Sequence, residues 1–198
     1  MPSLLALDIA ILPPPDVSQL AVELSAAIRR DTDDDLRLGG DQLPHVTLTQ
    51  QFVRTEELAD ALASLDGLLT KTPPLRLRIT GEGRINRSLW IAIERSDALV
   101  ELHAILMATL RPFEQPVGSA AAFVDGNARP GDIRWVAGYR AQSSFGEYTP
   151  HITLGHGKDG PPAIPPLVFT ATTVAACQLG RFCTCRRVLR AWELRPEA

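Results

Sequence analysis

Apolar and polar positions in the first half of the chain follow a pattern that predicts the order strand, helix, strand, helix. The apolar stretch from 4 to 12 is typical of a strand, and the three prolines after it introduce a helix that ends near Arg30. A second strand is predicted from 45 to 53, and a second helix follows from 55 to 70. Strands and helices in this order favour a mixed architecture.

The second half continues with a predicted hairpin, in which 75 to 80 and 89 to 93 alternate apolar and polar residues. A third helix is predicted from 96 to 110. The segment from 112 to 131 is rich in Gly, Pro and Ala, and predicts either an ordered surface loop or a mobile lid. Four further strands are predicted over 133 to 140, 151 to 155, 167 to 179 and 182 to 194.

Length and charge place limits on the organisation of the protein and on its partners. A chain of 198 residues that is 45% hydrophobic is long enough to bury one core, so we expect a single domain over 1–198. The formal net charge of -3 gives no overall field that would attract long duplex nucleic acid. Any phosphate must therefore be bound by a local site, and we expect a monomer.

Composition also indicates where the protein works. The chain has no apolar run near the roughly 18 residues that a membrane-spanning helix needs. Its apolar opening lacks a basic leader and contains Asp8, so it resembles a strand more than a signal peptide. The three cysteines, Cys177, Cys183 and Cys185, lack the usual paired zinc spacing and are predicted to be buried thiols. We expect a cytoplasmic protein.

One short motif occurs twice in the chain, as Pro-His-apolar-Thr-Leu. The histidines and threonines are His45 with Thr47 in residues 45–48, and His151 with Thr153 in residues 151–154. Because side chains alternate along a strand, each histidine shares a face with its threonine. Each strand would therefore bury its aliphatic residues and present an imidazole and a hydroxyl to a cleft.

Two imidazoles and two hydroxyls suit the hydrolysis of a cyclic phosphodiester. In-line attack by water needs a base for the water proton and an acid for the departing alkoxide, and histidine serves both purposes near neutral pH. The hydroxyls can donate hydrogen bonds to the non-bridging oxygens, where charge grows in the transition state. This chemistry requires neither a metal nor a cofactor, and we expect neither.

With its paired His-x-Thr-x motifs, the sequence resembles the two-histidine (2H) phosphoesterase superfamily, in the branch of 2'-5' RNA ligase-like proteins and cyclic nucleotide phosphodiesterases. The resemblance implies a bilobal α+β fold, in which two antiparallel β-sheets face each other across a central cleft. Helices lie on the outside, and a pseudo-twofold axis relates the lobes. The implied substrates are 2',3'-cyclic phosphates, ADP-ribose 1'',2''-cyclic phosphate or 2'-5' linkages of a small nucleotide or an RNA end.

Carried onto this chain, the resemblance makes His45 and His151 the acid-base pair and Thr47 and Thr153 the phosphate donors. We expect His151 to be the base and His45 the acid, and the two matching motifs by themselves also allow the reverse order. Many bacterial relatives have a basic residue soon after the second motif, whereas Gly155-His156-Gly157-Lys158 follows here. Either His156 or Lys158 replaces that charge and binds the substrate, or the phosphate is held less tightly. The same acid-base pair would also allow 2'-5' RNA ligation.

Three other residues are candidates for binding the substrate. Thr49 and Gln51 continue the alternation from His45 and are predicted to line the cleft. Tyr148 precedes the second motif and is the aromatic residue best placed to stack on a base.

The same residues also allow two alternative functions. One is a metallohydrolase that uses His45, His151 and an acidic residue, either Asp8 or Asp132. The other is an RNA-binding module that has the cleft but no turnover.

Overall fold

The computed structural model describes residues 3–30, 32, 35–160 and 163–195, so both ends of the predicted 1–198 domain lie outside the described residues. The strands are β1 (Leu4–Leu12), β2 (Val46–Arg54), β3 (Leu75–Ile85), β4 (Ser88–Ile93), β5 (His151–His156), β6 (Leu167–Ala171), β7 (Thr173–Leu179) and β8 (Cys185–Glu193). The helices are α1 (Pro15–Ala27), α2 (Leu58–Leu69), α3 (Asp97–Leu110) and α4 (Pro130–Gln142). No helix in the described part of the chain has the length and apolar character to cross a membrane.

The strands form two four-stranded sheets that are antiparallel throughout. Sheet A has the order β2-β1-β7-β8, and sheet B has the order β5-β4-β3-β6. The two motif strands, β2 and β5, occupy equivalent edges of the two sheets and contact each other. The predicted bilobal α+β fold, with two antiparallel sheets across a central cleft and helices on the outside, is confirmed.

The connections between the sheets follow the pseudo-twofold relation. Helix α1 leaves β1 in sheet A and packs on β5 in sheet B, whereas α3 leaves β4 in sheet B and packs on β2 in sheet A. Apolar side chains from both sheets and from α1, α2 and α3 form one continuous core. Each lobe is therefore completed by a helix that follows a strand of the other lobe.

The segment 133–140 is a helix, and the prediction of a strand there is wrong. Helix α4 begins at Pro130, where the fixed backbone angle of proline suits the first helical position. The Asp132 carboxylate accepts a hydrogen bond from the Arg129 backbone N–H at 2.9 Å and caps the helix. Val136 is buried against sheet A. Pro130 lies inside the segment 112–131 that is predicted to be a loop, and Asp132 follows that segment directly, so the signals for the start of the helix are divided between two predicted elements.

The predicted strand from 167 to 179 is two strands that belong to different sheets. β6 pairs with β3 in sheet B, and β7 pairs with β1 in sheet A. The break falls at Thr172, whose carbonyl accepts the backbone N–H of Leu194 at 2.7 Å. The sequence does not reveal the change of sheet, because the local pattern of apolar residues does not specify which strands become neighbours.

The segment 112–131 is ordered and covers one face of sheet A. Phe123 is buried and packs edge-on against Phe52, with ring centroids 5.8 Å apart. The Gln115 backbone N–H donates to the Phe52 carbonyl at 2.8 Å. Gly118 lies directly against the Phe52 ring, where a side chain would collide with it. Of the two interpretations offered for this segment, the ordered surface loop fits these contacts.

Candidate active site

Both motif strands contain a bulge directly after the His-x-Thr sequence. In β2, Leu48 is the extra residue relative to β1, and in β5, Leu154 is the extra residue relative to β4. Both leucines are buried. A bulge changes which side chains face each side of the sheet from that point on. The two halves of the cleft therefore share a local backbone irregularity as well as a sequence motif.

His45 and His151 are oriented by the same hydrogen bond. The Nδ1 atom of His45 lies 2.7 Å from the Leu43 carbonyl, and Nδ1 of His151 lies 2.7 Å from the Thr149 carbonyl. Because a carbonyl oxygen only accepts, Nδ1 must carry the proton in both rings. Nε2 is therefore the atom that takes up or releases a proton in each histidine.

Around His45, the buried Asp8 carboxyl organises the first half of the site. Its Oδ2 atom accepts hydrogen bonds from the Thr47 hydroxyl at 2.9 Å and from the Gln50 amide at 2.7 Å. Oδ2 also lies 3.8 Å from His45 Nε2. Burial raises the pKa of Asp8, and the nearby His45 and these two hydrogen bonds lower it again in part. A protonated His45 would form an ion pair with this carboxylate.

The second half of the site has a different neighbourhood. Thr153 of β5 pairs with Trp90 of β4. The centroid of the Trp90 ring lies 5.5 Å from the centroid of the His151 ring. The indole ring covers the backbone of Gly83, where a Cβ atom would fall 2.0 Å from it. Burial lowers the pKa of His151, and a charge on His45 lowers it further. His151 therefore favours the neutral form.

Strand pairing reveals an asymmetry between the two halves. Gln50, five residues after His45, pairs with Asp8, whereas His156, five residues after His151, pairs with Ser88. Ser88 is thus the structural counterpart of Asp8. At these two equivalent positions, only the first half of the site has a carboxyl group.

His156 lies on the same face of sheet B as Thr153, on the side of the cleft. Its ring contacts Phe182 edge-on at 5.0 Å, and the Arg129 guanidinium lies 3.9 Å above the same Phe182 ring. Burial lowers the pKa of His156, and the positive charge of Arg129 contributes to this shift. The position is compatible with substrate contact, and the assignment of His156 to substrate binding stays a prediction.

Thr49 and Gln51 face away from the cleft, so the prediction that they line it is wrong. Residues directly opposite each other on neighbouring strands share a face. Thr49 pairs with Ile9 and Gln51 pairs with Leu7, both of which belong to the main core. The Gln51 amide donates to the Leu110 carbonyl at the end of α3. The bulge at Leu48 reverses the alternation, which places Gln50 on the cleft face instead.

Tyr148 is a buried packing residue, and the prediction that it stacks on a base is wrong. Only 2% of its surface is exposed. Its ring stacks on His103 at 4.0 Å with an interplanar angle of 3°, and its hydroxyl donates to the Thr47 carbonyl at 2.9 Å. Tyr148 therefore links the second motif to the strand of the first.

Asp8, Gln50 and Trp90 lie in the candidate site, but the sequence did not indicate their places there. Asp8 was considered only as a possible metal ligand, and the strand-like apolar residues around Trp90 are typical of core packing. Trp90 lies opposite Thr153 because β4 pairs with β5, and this pairing cannot be read from either strand alone. Gln50 had no local signal, because the bulge that turns it towards Asp8 depends on β1.

The ligand set of the metallohydrolase alternative is not assembled as the sequence suggested. Asp8 and His45 do lie together, but the third donor beside them is Cys185 and not His151. Asp132 caps α4 and accepts the backbone N–H of Phe182 at 3.1 Å.

Comparison with protein families identifies the chain. The family model described as the 2'-5' RNA ligase superfamily matches residues 13–188. The chain belongs to the 2'-5' RNA ligase superfamily. The match spans both motifs and all four helices. No curated protein matches the chain.

Solved structures share the fold of this superfamily member. TT0787 of Thermus thermophilus is 24% identical, with a TM-score of 0.64 over 98% of this chain and 100% of that one. E. coli LigT complexed with NADP+ is 17% identical, with a TM-score of 0.63 over 98% and 100%. LigT complexed with 3'-AMP gives the same values. At these identities the likeness concerns the fold.

Proposed function

We propose that the protein is a metal-independent phosphodiesterase that hydrolyses a 2',3'-cyclic phosphate, or a related cyclic or 2'-5' phosphodiester, of RNA ends or nucleotides. The observation that carries the proposal is the matched orientation of His45 and His151. Each holds Nδ1–H on the carbonyl two residues earlier and has Nε2 free for proton transfer.

The roles of the two histidines follow from their surroundings. His151 is the base, since burial lowers its pKa and favours the neutral ring. His45 is the acid, because Asp8 lies 3.8 Å from its Nε2 and compensates the charge of the protonated ring. His151 Nε2 takes a proton from water as the water oxygen bonds to phosphorus. The bond to the ribose oxygen breaks on the opposite side, and His45 Nε2 protonates that oxygen.

The two threonines bind the phosphate unequally in this mechanism. Thr153 lies beside His151 and offers its hydroxyl to a non-bridging oxygen. The Thr47 hydroxyl donates to Asp8 in the structure and must exchange that bond to reach a phosphate oxygen. Attack by a ribose hydroxyl in place of water would use the same proton transfers and give a 2'-5' ligation.

Hydrolysis of a panel of 2',3'-cyclic mononucleotides in EDTA, from pH 5 to 9, tests the proposal. The native chain should turn over with a bell-shaped pH profile, whose acidic limb lies below the ordinary histidine value of about 6.5 because the pKa of His151 is lowered. His45→Ala and His151→Ala should each lose a factor of roughly 10² to 10⁴ in kcat. His156→Ala removes a histidine outside the acid-base pair; it should change kcat by less than about tenfold, with its main effect on KM because His156 is predicted to bind the substrate.

The outcomes separate mechanism from substrate. Equal turnover by the native chain and both motif variants would refute the acid-base pair. No turnover of the panel by the native chain would overturn the cyclic mononucleotide as substrate. The same variants would then be compared on 2'-5' linked dinucleotides and on ADP-ribose 1'',2''-cyclic phosphate.

A further inference from the structure

Three side chains that commonly bind transition metals meet in the first half of the cleft. Asp8 comes from β1, His45 from the residue before β2, and Cys185 from the start of β8. Their donor atoms all lie within 4.8 Å of one another, and the pair of His45 Nε2 and Asp8 Oδ2 is 3.8 Å apart. Ligand atoms around a tetrahedral zinc ion are separated by about 3.3 to 3.8 Å. Small side-chain movements would therefore complete the geometry.

The surroundings of the cluster hold these side chains in positions that suit metal binding. Nδ1 of His45 is hydrogen-bonded to a backbone carbonyl, as in many zinc sites, which leaves Nε2, 3.8 Å from Asp8 Oδ2, as the ring atom available to a metal. Thr47 and Gln50 orient the Asp8 carboxyl through Oδ2, whereas the buried Oδ1 has no hydrogen-bond partner among the described residues.

The backbone also connects two of the three donors. The N–H of Leu43 donates to the carbonyl of Cys185 at 3.0 Å. This bond joins the segment that carries His45 to the start of β8, so the imidazole and the thiol are held relative to each other before any ion binds.

Charge and ligand chemistry favour a divalent ion of the zinc type. Asp8 and Cys185 are fully buried. A bound metal deprotonates a coordinating thiol, so carboxylate and thiolate together balance a 2+ ion. A set with one nitrogen, one oxygen and one sulfur donor suits zinc, whereas magnesium and calcium prefer oxygen ligands alone.

We propose that Asp8, His45 and Cys185 bind a divalent transition-metal ion such as Zn²⁺, and that the bound ion inhibits the enzyme by occupying Nε2 of His45. The inhibition rests on the proposed function, in which His45 Nε2 protonates the leaving oxygen. The binding of the ion does not depend on that function. This assigns to Cys185 a regulatory role that the hydrolytic mechanism does not require.

Cobalt titration of the full chain tests the binding site directly. A cobalt-bound thiolate gives a charge-transfer absorption band, and Zn²⁺ should abolish the band by displacing cobalt. Cys185→Ser should lose the band and weaken Zn²⁺ binding at least about tenfold. Cys183→Ser is the matched control, because its thiol lies outside the cluster and donates to the Asp132 carbonyl at 3.6 Å. It should titrate like the native chain.

A second variant keeps the test valid if Cys185→Ser does not fold, as judged by circular dichroism. Asp8→Asn retains the shape of the side chain and should also weaken Zn²⁺ binding at least about tenfold. Absence of a charge-transfer band in the native chain, or an equal band in Cys185→Ser, would overturn the site.

Inhibition is measured separately, on whichever substrate the native chain turns over. Micromolar Zn²⁺ should reduce turnover of the native chain and of Cys183→Ser, and EDTA should restore it. Turnover of Cys185→Ser, whatever its level without metal, should fall much less. Tight binding without inhibition would overturn the inhibitory role and would also count against His45 as the acid. Activation by Zn²⁺ would favour a metal-dependent hydrolase and overturn the proposed function.

Discussion

His45 and His151 have the same local hydrogen bond but different neighbours, and this difference is the basis of the roles that we propose for them. His45 faces the carboxyl group of Asp8, whereas the counterpart of Asp8 in the second half is Ser88. In the proposed mechanism, two matching motifs supply an acid and a base because their surroundings differ. The proposed asymmetry therefore depends on single residues of β1 and β4 outside the motifs.

Replacing each motif threonine by valine should show which hydroxyl stabilises the folded protein and which one serves mainly to bind the phosphate. Thr47→Val removes a hydrogen bond to the buried Asp8 and should lower the free energy of unfolding by about 1 to 3 kcal/mol. Thr153→Val removes a hydroxyl from the partly exposed side of β5 and should change stability by less than about 0.5 kcal/mol while reducing kcat. Urea unfolding and steady-state kinetics measure the two effects. A larger loss of stability in Thr153→Val would contradict this assignment.

We expect His103 to make the stability of the fold depend on pH. Its Nδ1–H donates to the Leu48 carbonyl at 2.6 Å, and its Nε2 accepts the Phe145 N–H at 2.9 Å, so the neutral ring is required. Burial lowers the pKa of His103. In the unfolded chain the group titrates near 6.5, and below that pH the unfolded state takes up a proton that the folded state does not.

The free energy of unfolding should therefore fall as the pH decreases from about 6.5 towards the lowered pKa of folded His103. Urea unfolding of the native chain and of His103→Gln, at steps between pH 8 and pH 5, measures this dependence. In the glutamine variant the free energy of unfolding should fall less steeply as the pH decreases. The two slopes should differ by up to about 1.4 kcal/mol per pH unit, because the variant lacks one titrating group. Parallel curves for the two proteins would show that His103 is not responsible.

Among the secondary-structure elements, the bulged edge strands decide which side chains reach the cleft. The extra residue in β2 turns Gln50 towards Asp8 and buries Gln51 beneath α3. The matching bulge in β5 continues into Gly155, whose φ of +150° is a conformation that other residues rarely adopt. A Cβ atom there would lie 2.6 Å from the Leu36 carbonyl oxygen. The glycine is needed for both its conformation and its close packing.

Gly155→Ala should accordingly destabilise the protein by more than about 1 kcal/mol and reduce turnover, because the strand that carries Thr153 must shift. Gly67→Ala is the matched control within α2, where the added methyl group meets no atom within 4 Å. That variant should be more stable than the native chain by about 0.4 to 1 kcal/mol. Urea unfolding of both variants measures the difference, and equal effects would contradict the role of the bulge.

For the molecule as a whole, the two lobes depend on each other. Sheet A combines strands from both ends of the chain, and sheet B is formed from its middle. Helices α1 and α3 each pack on the sheet opposite to the one that they follow, within one continuous core. Separation of the lobes would expose the apolar faces of both.

Unfolding in urea should therefore be a single cooperative transition. Trp90 reports on sheet B and Trp192 on sheet A, so variants that retain only one of these two tryptophans, with the others replaced by phenylalanine, follow each sheet by fluorescence. Each fluorescence midpoint should agree with the midpoint from circular dichroism of the same variant. Different midpoints within one variant would show that the lobes unfold independently.

The sequence by itself determined the paired motifs, the order of most strands and helices, and the resemblance that gave the fold. These features are readable because a strand alternates its faces and a helix repeats every 3.6 residues, whatever lies nearby. The tertiary structure decided the rest. The bulge at Leu48 reversed the faces of Thr49 and Gln51, and the meeting of Asp8, His45 and Cys185 required β1, β2 and β8 to share a sheet. Such contacts depend on which strands become neighbours, and local alternation carries no information about a partner far away in the chain.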